Sequence, residues 1–358
     1  MPTGTARQES ARREEADVRS EARDTSAART LGRRSLLLAL IAVLAACTST
    51  TGEGQGAKAS SGAPPRTSSP ARSARSSSTS PARRSKHPDK VMVIAEENQT
   101  YDEVFGAGRA PFLTRLAAQY ATLAGMDAGY PPPCPSLPAY LLMTSGSTHG
   151  VCDDAGPRAH PIDGPSIFSE AEAAGLQWRG YAESMPGPCT RDDAAAGRYL
   201  VRHAPAPYYT AVAKRCTSWD LPLGTPAAGA LHDDVAAGRL PAYAFVTPDA
   251  CDDMHGAAGC PGDLVAAGDQ WLGRWLPEIL AGPDYRAGRL LIVITWDEGS
   301  ASSNHIATVV VVPTAQHVSV TTPMTHCGLL ALEEHLLGLP PLGCARTAPS
   351  PAASLGLA

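Results

Sequence analysis

Two apolar runs fit for the centre of a sheet end abruptly in polar pairs. "KVMVIAEEN" (Lys90–Asn98) ends in Glu97 and Asn98, and "RLLIVITWDE" (Arg289–Glu298) ends in Asp297 and Glu298. A third stretch, "LPAYAFVTPDACDDMHG" (Leu240–Gly256), carries Asp249, Asp252 and Asp253 beyond its apolar part. Carboxylates gathered in one place repel one another unless shared protons or a cation relieve them. Oxygen donors suit a hard divalent ion, so Ca²⁺, Mg²⁺ or Mn²⁺ is the expected cofactor. "PPPCPSLPAYLLMTSG" (Pro131–Gly146) offers such an ion something to act on, because Ser136 sits between prolines directly before an apolar helix. A hydroxyl at a helix N-terminus, near a metal, can lose its proton and attack phosphorus. The competing reading is that Ser136 caps that helix. There is neither a GxSxG nucleophile elbow nor a phosphate-cradling GxxxxGK[ST] loop.

These residues need elements that bring them together. "VMVIAE", "LQWRGYAES", "LPAYAFVTPD", "RLLIVITWDE" and "HIATVVVVP" read as strands, the first as one covered on both faces. "APFLTRLAAQYATL" has helical spacing. "SIFSEAEAAG" reads as a helix capped by Ser166 and ended by Gly175, and "GDQWLGRWLPEILAG" and "THCGLLALEEHLLG" as amphipathic helices ending at Gly282 and Gly338. Strands separated by helices imply an α/β sandwich with a largely parallel central sheet flanked by helices. In such sheets ligands bind beyond the carboxyl ends of the strands, where Glu97, Asn98, Asp249 to Asp253, Asp297 and Glu298 all fall.

Charge divides the chain. Residues 1–90 hold 16 Lys/Arg against 8 Asp/Glu, while residues 91–358 hold 14 against 27. An acidic body argues against nucleic acid as a partner, since phosphate-backbone binding needs clustered basic residues. Within the basic leader, Arg33 and Arg34 precede an 11-residue apolar core, Leu36 to Ala46, too short to span a bilayer and fit for an export signal. "LAAC" (Leu44–Cys47) has the form of a lipobox, which would anchor the mature chain in the membrane through lipid on Cys47; an ordinary secretory signal with a chance cysteine is the alternative. The Ser/Thr/Pro/Ala/Arg-rich stretch that follows reads as a flexible tether. The organisation expected is an export signal with lipobox (1–47), a linker (48–87), a catalytic domain (88–346) and a short tail (347–358). Eight cysteines remain after Cys47, an even number suited to disulfides in an exported protein. Pairing of sequence neighbours (134–152, 189–216, 251–260, 327–344) is one of 105 connectivities.

"AEENQTYDEVFG", "CPSLPAYLLMTSG", "GPSIFSEAEAAGLQWRGYAESMPGPC", "LPAYAFVTPDACDDMHG", "GDQWL", "TWDEG" and "THCGLLALEEHLLGLPPLG" follow one another in this order. Together they resemble the bacterial phosphoesterase family of acid phosphatases and phospholipases C, within the alkaline phosphatase superfamily, over roughly residues 88–346. The resemblance implies an alkaline-phosphatase-like sandwich and a metal held by Glu97, Asn98, Ser136, Asp297 and Glu298, with Ser136 as nucleophile. It also implies that Asp253, His255 and His326 contact the phosphoryl group or a second cation, where the two histidines would admit zinc or iron. Two positions depart from the family pattern: Cys134 and Ala139 stand where its His and Asn are usual. The function implied is metal-dependent hydrolysis of a phosphate monoester outside the cytoplasm. A phosphodiesterase or phospholipase C acting on lipid head groups is the alternative within the class, and a non-catalytic envelope binding protein the alternative from another class.

Overall fold

A computed structural model describes residues 87–130, 134–300 and 303–358. The export signal, the Cys47 anchor and all but the last residue of the linker lie outside the described residues.

One eight-stranded sheet organises the described residues: β1 (Lys90–Glu96), β2 (Ala121–Leu123), β3 (Trp178–Ala182), β4 (Asp220–Pro222), β5 (Tyr243–Thr247), β6 (Leu290–Trp296), β7 (Thr308–Val311) and β8 (Val318–Val320). Its order is β4-β3-β5-β1-β6-β7-β2-β8. β1 and β6, the two runs that end in acidic pairs, are buried along their whole length, as continuous apolar strands covered on both faces must be. They lie side by side and parallel, with Lys90 opposite Leu290 and Glu96 opposite Trp296, so both runs end at the same level. β5 flanks β1 on the other side, also in parallel. Only β7 runs against its neighbours, β6 and β2. The largely parallel α/β sheet expected from the sequence is therefore present.

The flanking helices are α1 (Tyr101–Phe105), α2 (Pro111–Gln119), α3 (Ser136–Ser145), α4 (Ile167–Ala173), α5 (Ala213–Trp219), α6 (Ala230–Ala236), α7 (Leu264–Ala281), α8 (Pro283–Arg286) and α9 (His326–Leu337). Ser166 caps α4 by accepting from the Ser169 N–H, and Gly338, in the left-handed region at φ 65°, ends α9. α7 starts four residues before Gly268, because Asp263 caps it there. The run Ala110–Leu123 is not one helix. α2 stops at Gln119, Tyr120 turns to an extended backbone, and Ala121 to Leu123 enter the sheet between β7 and β8. Helical spacing alone does not register that ladder partners wait on both sides of those three residues.

All four disulfides join sequence neighbours: Cys134–Cys152, Cys189–Cys216, Cys251–Cys260 and Cys327–Cys344. Residues 347–358 pack onto the body, with Leu355 and Leu357 buried and the Leu357 carbonyl 3.3 Å from His335 Nε2.

Candidate active site

The carboxyl ends of β1, β5 and β6 are stitched together by backbone bonds. The Glu97 N–H donates to the Asp253 carbonyl (2.7 Å) and the Asp297 N–H to the Glu96 carbonyl (2.9 Å). Asn98 takes the left-handed region, φ 56°, which asparagine tolerates better than most residues. There its N–H donates to Asp297 Oδ1 and its amide to Glu97 Oε2, both at 3.2 Å. Residues about 200 positions apart in sequence thus share one small volume.

Ser136 is the first residue of α3. The N-cap position belongs to Pro135, which has no side chain to cap with, and the Leu137 N–H is satisfied by Asp154 Oδ1 at 3.0 Å. Ser136 is therefore free of capping: its Oγ donates to Glu97 Oε2 at 3.1 Å and also relieves the Asp297 carboxylate. The Cys134–Cys152 disulfide ends two residues before Ser136 on one side and two before Asp154 on the other. It clamps the turn that carries Ser136 to the group that holds the first turn of α3. Replacing both cysteines by serine is expected to cost about 3 kcal/mol of stability, from the entropy released to an 18-residue loop. Thermal unfolding and kcat should fall together in that variant; an unchanged kcat would show that the clamp does not position Ser136.

Sequence reasoning missed His203. It lies in the short 3-10 turn Val201–His203, fully buried, its ring stacked on Tyr140 of α3 at 5.3 Å. Nδ1 is 3.0 Å from Asp253 Oδ2, and Nε2 is 3.0 Å from Glu97 Oε1. Burial, then the charges of Arg202 and His255, hold the His203 pKa well below its ordinary value, which favours the neutral ring. A neutral ring that donates from Nδ1 to Asp253 presents a lone pair at Nε2. That lone pair faces Glu97 Oε1, and neither atom has a hydrogen-bond partner. A proton shared across 3.0 Å, or a cation that both atoms ligate, relieves such a pair. No motif or periodicity marks "LVRHAPAP"; the only signal was a histidine beside an arginine.

The carboxyl groups tell the same story. Burial, reinforced by Asp297 and Asp253, pushes Glu97 well above the usual carboxylate range. Burial raises Asp253 as well, with Asp297 and Asp249 adding to it, and burial followed by Glu298 raises Asp297. Asp297 Oδ2 is a further buried atom without a partner. Three buried carboxyls that press on one another, with orphaned Glu97, Asp297 and His203 atoms among them, fit a divalent cation. Nitrogen from His203 widens the acceptable metals beyond the all-oxygen set expected from the sequence.

The other expected residues gather round. Asp253 orients two histidines, accepting from His203 with Oδ2 and from the His255 N–H with Oδ1 at 2.8 Å. His255 gives Nδ1 to the Gly256 carbonyl (2.7 Å) and is half-buried, with Arg202 Nη2 3.4 Å from its Nε2. Glu97, His203 and His255 each offer one atom within 4.8 Å of the others. Glu298 accepts from the Tyr130 hydroxyl. His326 stands behind the site: Nε2 bonds the Asp297 carbonyl at 2.7 Å, and burial lowers its pKa to about 4. His149 and His305 bond Ser145 Oγ and the Ala124 carbonyl.

A sheet of this topology with acids, a serine and histidines at its carboxyl edge defines a class. The fold is shared with a protein of the alkaline phosphatase superfamily from Vibrio parahaemolyticus, at a TM-score of 0.51 and 9% identity over 71% of this chain and 67% of that one. The sequence pattern of the Phosphoesterase family matches residues 107–329, and the chain belongs to that family. It is 30% identical over 263 residues to the phosphatidylinositol-3-phosphatase of Mycobacterium tuberculosis, covering 72% of this chain and 80% of that one. It is 25% identical over 221 residues to an acid phosphatase of Aspergillus fumigatus, covering 58% of this chain and 47% of that one, so it spans about half the length of the fungal protein. The protein is accordingly a hydrolase acting on phosphoric esters, which sets aside a non-catalytic binding role. Its four disulfides suit an exported protein, and among the described residues no helix is long and apolar enough to cross a membrane.

Proposed function

We propose that this hydrolase is a metal-dependent phosphomonoesterase that works outside the cytoplasm through Ser136. The observation that carries the reading is the Ser136 hydroxyl held 3.1 Å from Glu97 Oε2, amid buried carboxyls whose free atoms fit a cation. Glu97, Ser136 and Asp297 would hold the ion, with Asn98 and Glu298 beside them and His203 adding a nitrogen. When bound, such an ion lowers the pKa of the serine hydroxyl and offsets charge developing on phosphorus.

The residues of the chain then divide the work. Ser136 passes its proton to Glu97, whose Oε2 already accepts from the serine hydroxyl at 3.1 Å. Its oxygen attacks phosphorus while the bond from phosphorus to the alcohol breaks, and a solvent water gives its proton to the leaving oxygen. Water then attacks the phosphoserine and loses a proton to His255; phosphate leaves, and Glu97 returns the first proton to Ser136. Asp253 holds both histidines in register, and His326 fixes the Asp297 backbone. Ala139 has no amide to offer a phosphoryl oxygen. Arg202, held between Asp154 and Asp193 at 3.3 and 3.7 Å and reaching His255, takes that task. Arg202→Ala is expected to lower kcat/KM about 10²-fold, the cost of one preorganised donor, with Arg202→Lys between the two. Equal rates in all three enzymes would remove Arg202 from the site.

The names of the two relatives both denote phosphatases, which favours a monoester over a diester. Release of alcohol from para-nitrophenyl phosphate, bis-para-nitrophenyl phosphate and phosphatidylcholine tests this. The monoester should be turned over fastest; preference for either diester would make the protein a phosphodiesterase. In the same proposal residues 88–346 are the catalytic domain, and Cys47 carries lipid that tethers it through residues 48–87 to the outer face of the cytoplasmic membrane. The disulfides and the leader sequence support that location.

A further inference from the structure

Successive residues of a strand point to opposite faces. Glu97 reaches Ser136 and His203, whereas Glu96, the last residue of β1, turns the other way. It is fully buried, and neither of its carboxyl oxygens has a hydrogen-bond partner among the described residues. The charges that press on it come from Asp253, Asp252, Glu183 and Asp269. Asp269 is committed elsewhere, since it accepts the Phe112 and Leu113 N–H groups at the start of α2. Glu183, just past β3, and Asp249 and Asp252, past β5, each bring a carboxylate oxygen to within 4.8 Å of the others. That is the widest separation two oxygens take on one calcium-sized ion with bonds of about 2.4 Å.

Arg198 approaches Asp249 at 3.3 Å and Arg274 approaches Asp252 at 3.4 Å. The two guanidinium groups thus pair with Asp249 and Asp252, while Glu96 and Glu183, both raised by burial, ionise only where a cation takes the place of their protons. We propose that Glu183, Asp249 and Asp252 form a second, non-catalytic site for a hard divalent cation of the calcium class, with the unpartnered Glu96 carboxyl buried nearby. All of its donors are oxygen, which selects against zinc and copper. Glu183 and Asp252 are half-buried, so water can complete the coordination.

The two sites share a loop. Asp252 belongs to the second and Asp253 to the first, followed by Met254 at φ 75°, a conformation that few side chains adopt, and by His255. A Cβ at Gly268 of α7 would lie 2.6 Å from Met254 and 2.9 Å from the Asp252 carbonyl, so α7 is shaped to receive this loop. An ion on Asp249 and Asp252 fixes the loop from the far side and holds Asp253 and His255 where the phosphoryl group is handled.

Tb³⁺ luminescence, excited through the buried Trp271 beside Glu183, tests the site directly. The protein used is the full chain carrying Glu97→Gln and Asp297→Asn, which strip the catalytic site and make the result independent of the Ser136 mechanism. One Tb³⁺ should bind per chain, Ca²⁺ should displace it, and Ca²⁺ should raise the melting temperature. Adding Glu183→Gln and Asp252→Asn should abolish all three. Should that protein fail to fold, Glu183→Asp alone should weaken Tb³⁺ binding roughly tenfold or more. Absence of both luminescence and thermal shift in the first protein would overturn the proposal, as would luminescence that survives the Glu183 and Asp252 changes.

Discussion

Replacing Ser136 with alanine is expected to lower phosphate release by about 10⁴- to 10⁶-fold, the scale on which enzymes lose rate when a covalent nucleophile is removed. Little else should change. Ser136 does not cap α3, whose second N–H is held by Asp154, and alanine is a good helix former at its position. The hydroxyl lost bonds Glu97, which keeps the Asn98 amide, and relieves Asp297, which keeps the Asn98 N–H. Stability should therefore shift by about 1 kcal/mol or less, and circular dichroism melts should show a folded protein. A folded variant with wild-type turnover would remove Ser136 from the chemistry.

Chelation should abolish activity and uncover a pH dependence of stability with a definite sign. Glu97, Asp253 and Asp297 are all raised in the folded chain, chiefly by burial, as is Glu96. Burial also brings Glu183, Asp220 and Glu334 to about 7. A carboxyl raised on folding binds protons that the unfolded chain has released. Its stability is complete below the ordinary carboxylate range and is lost as pH rises through the raised value. The lowered histidines, His203, His255 and His326, act in the opposite sense, but only below about pH 6.5, where the unfolded rings take up protons. Above about pH 6.5 the raised carboxyls act, joined near pH 10 by buried tyrosines that burial raises in the same sense, so the melting temperature of the metal-free protein should fall steadily with rising pH. Saturating divalent cation should flatten that slope, because it replaces the protons. Its affinity should weaken as pH falls, giving activity a limb on the acid side that extra metal shifts downward. A metal-free protein that becomes more stable between neutral and alkaline pH would contradict this picture of the site.

The parts of this site that the sequence disclosed share a cause. Glu97, Asn98, Asp297 and Glu298 interrupt long apolar runs, and in a sheet buried on both faces such an interruption marks the strand end where ligands bind. Ser136 showed itself by lying between prolines at the head of an apolar helix. His203 and Arg202 gave no such sign. They sit on a three-residue turn with no period of its own, placed by stacking on Tyr140 and by ion pairs with Asp154 and Asp193. The same limit hid β2, β4 and β8, each three residues long and fixed by neighbours rather than by composition. Asp269 errs in the other direction. It falls in a family motif, "GDQWL", yet it is taken up in holding the first turn of α2.

Rapid acid quenching during turnover of a monoester, followed by mass spectrometry of the peptides, tests the account at its centre. Phosphate should appear on the peptide that contains Ser136, decay with added water-driven turnover, and be absent both in Ser136→Ala and in chelated wild-type enzyme. Steady turnover with phosphate on His203 or His255 instead, or with no covalent phosphate at any quench time while Ser136→Ala remains active, would contradict it.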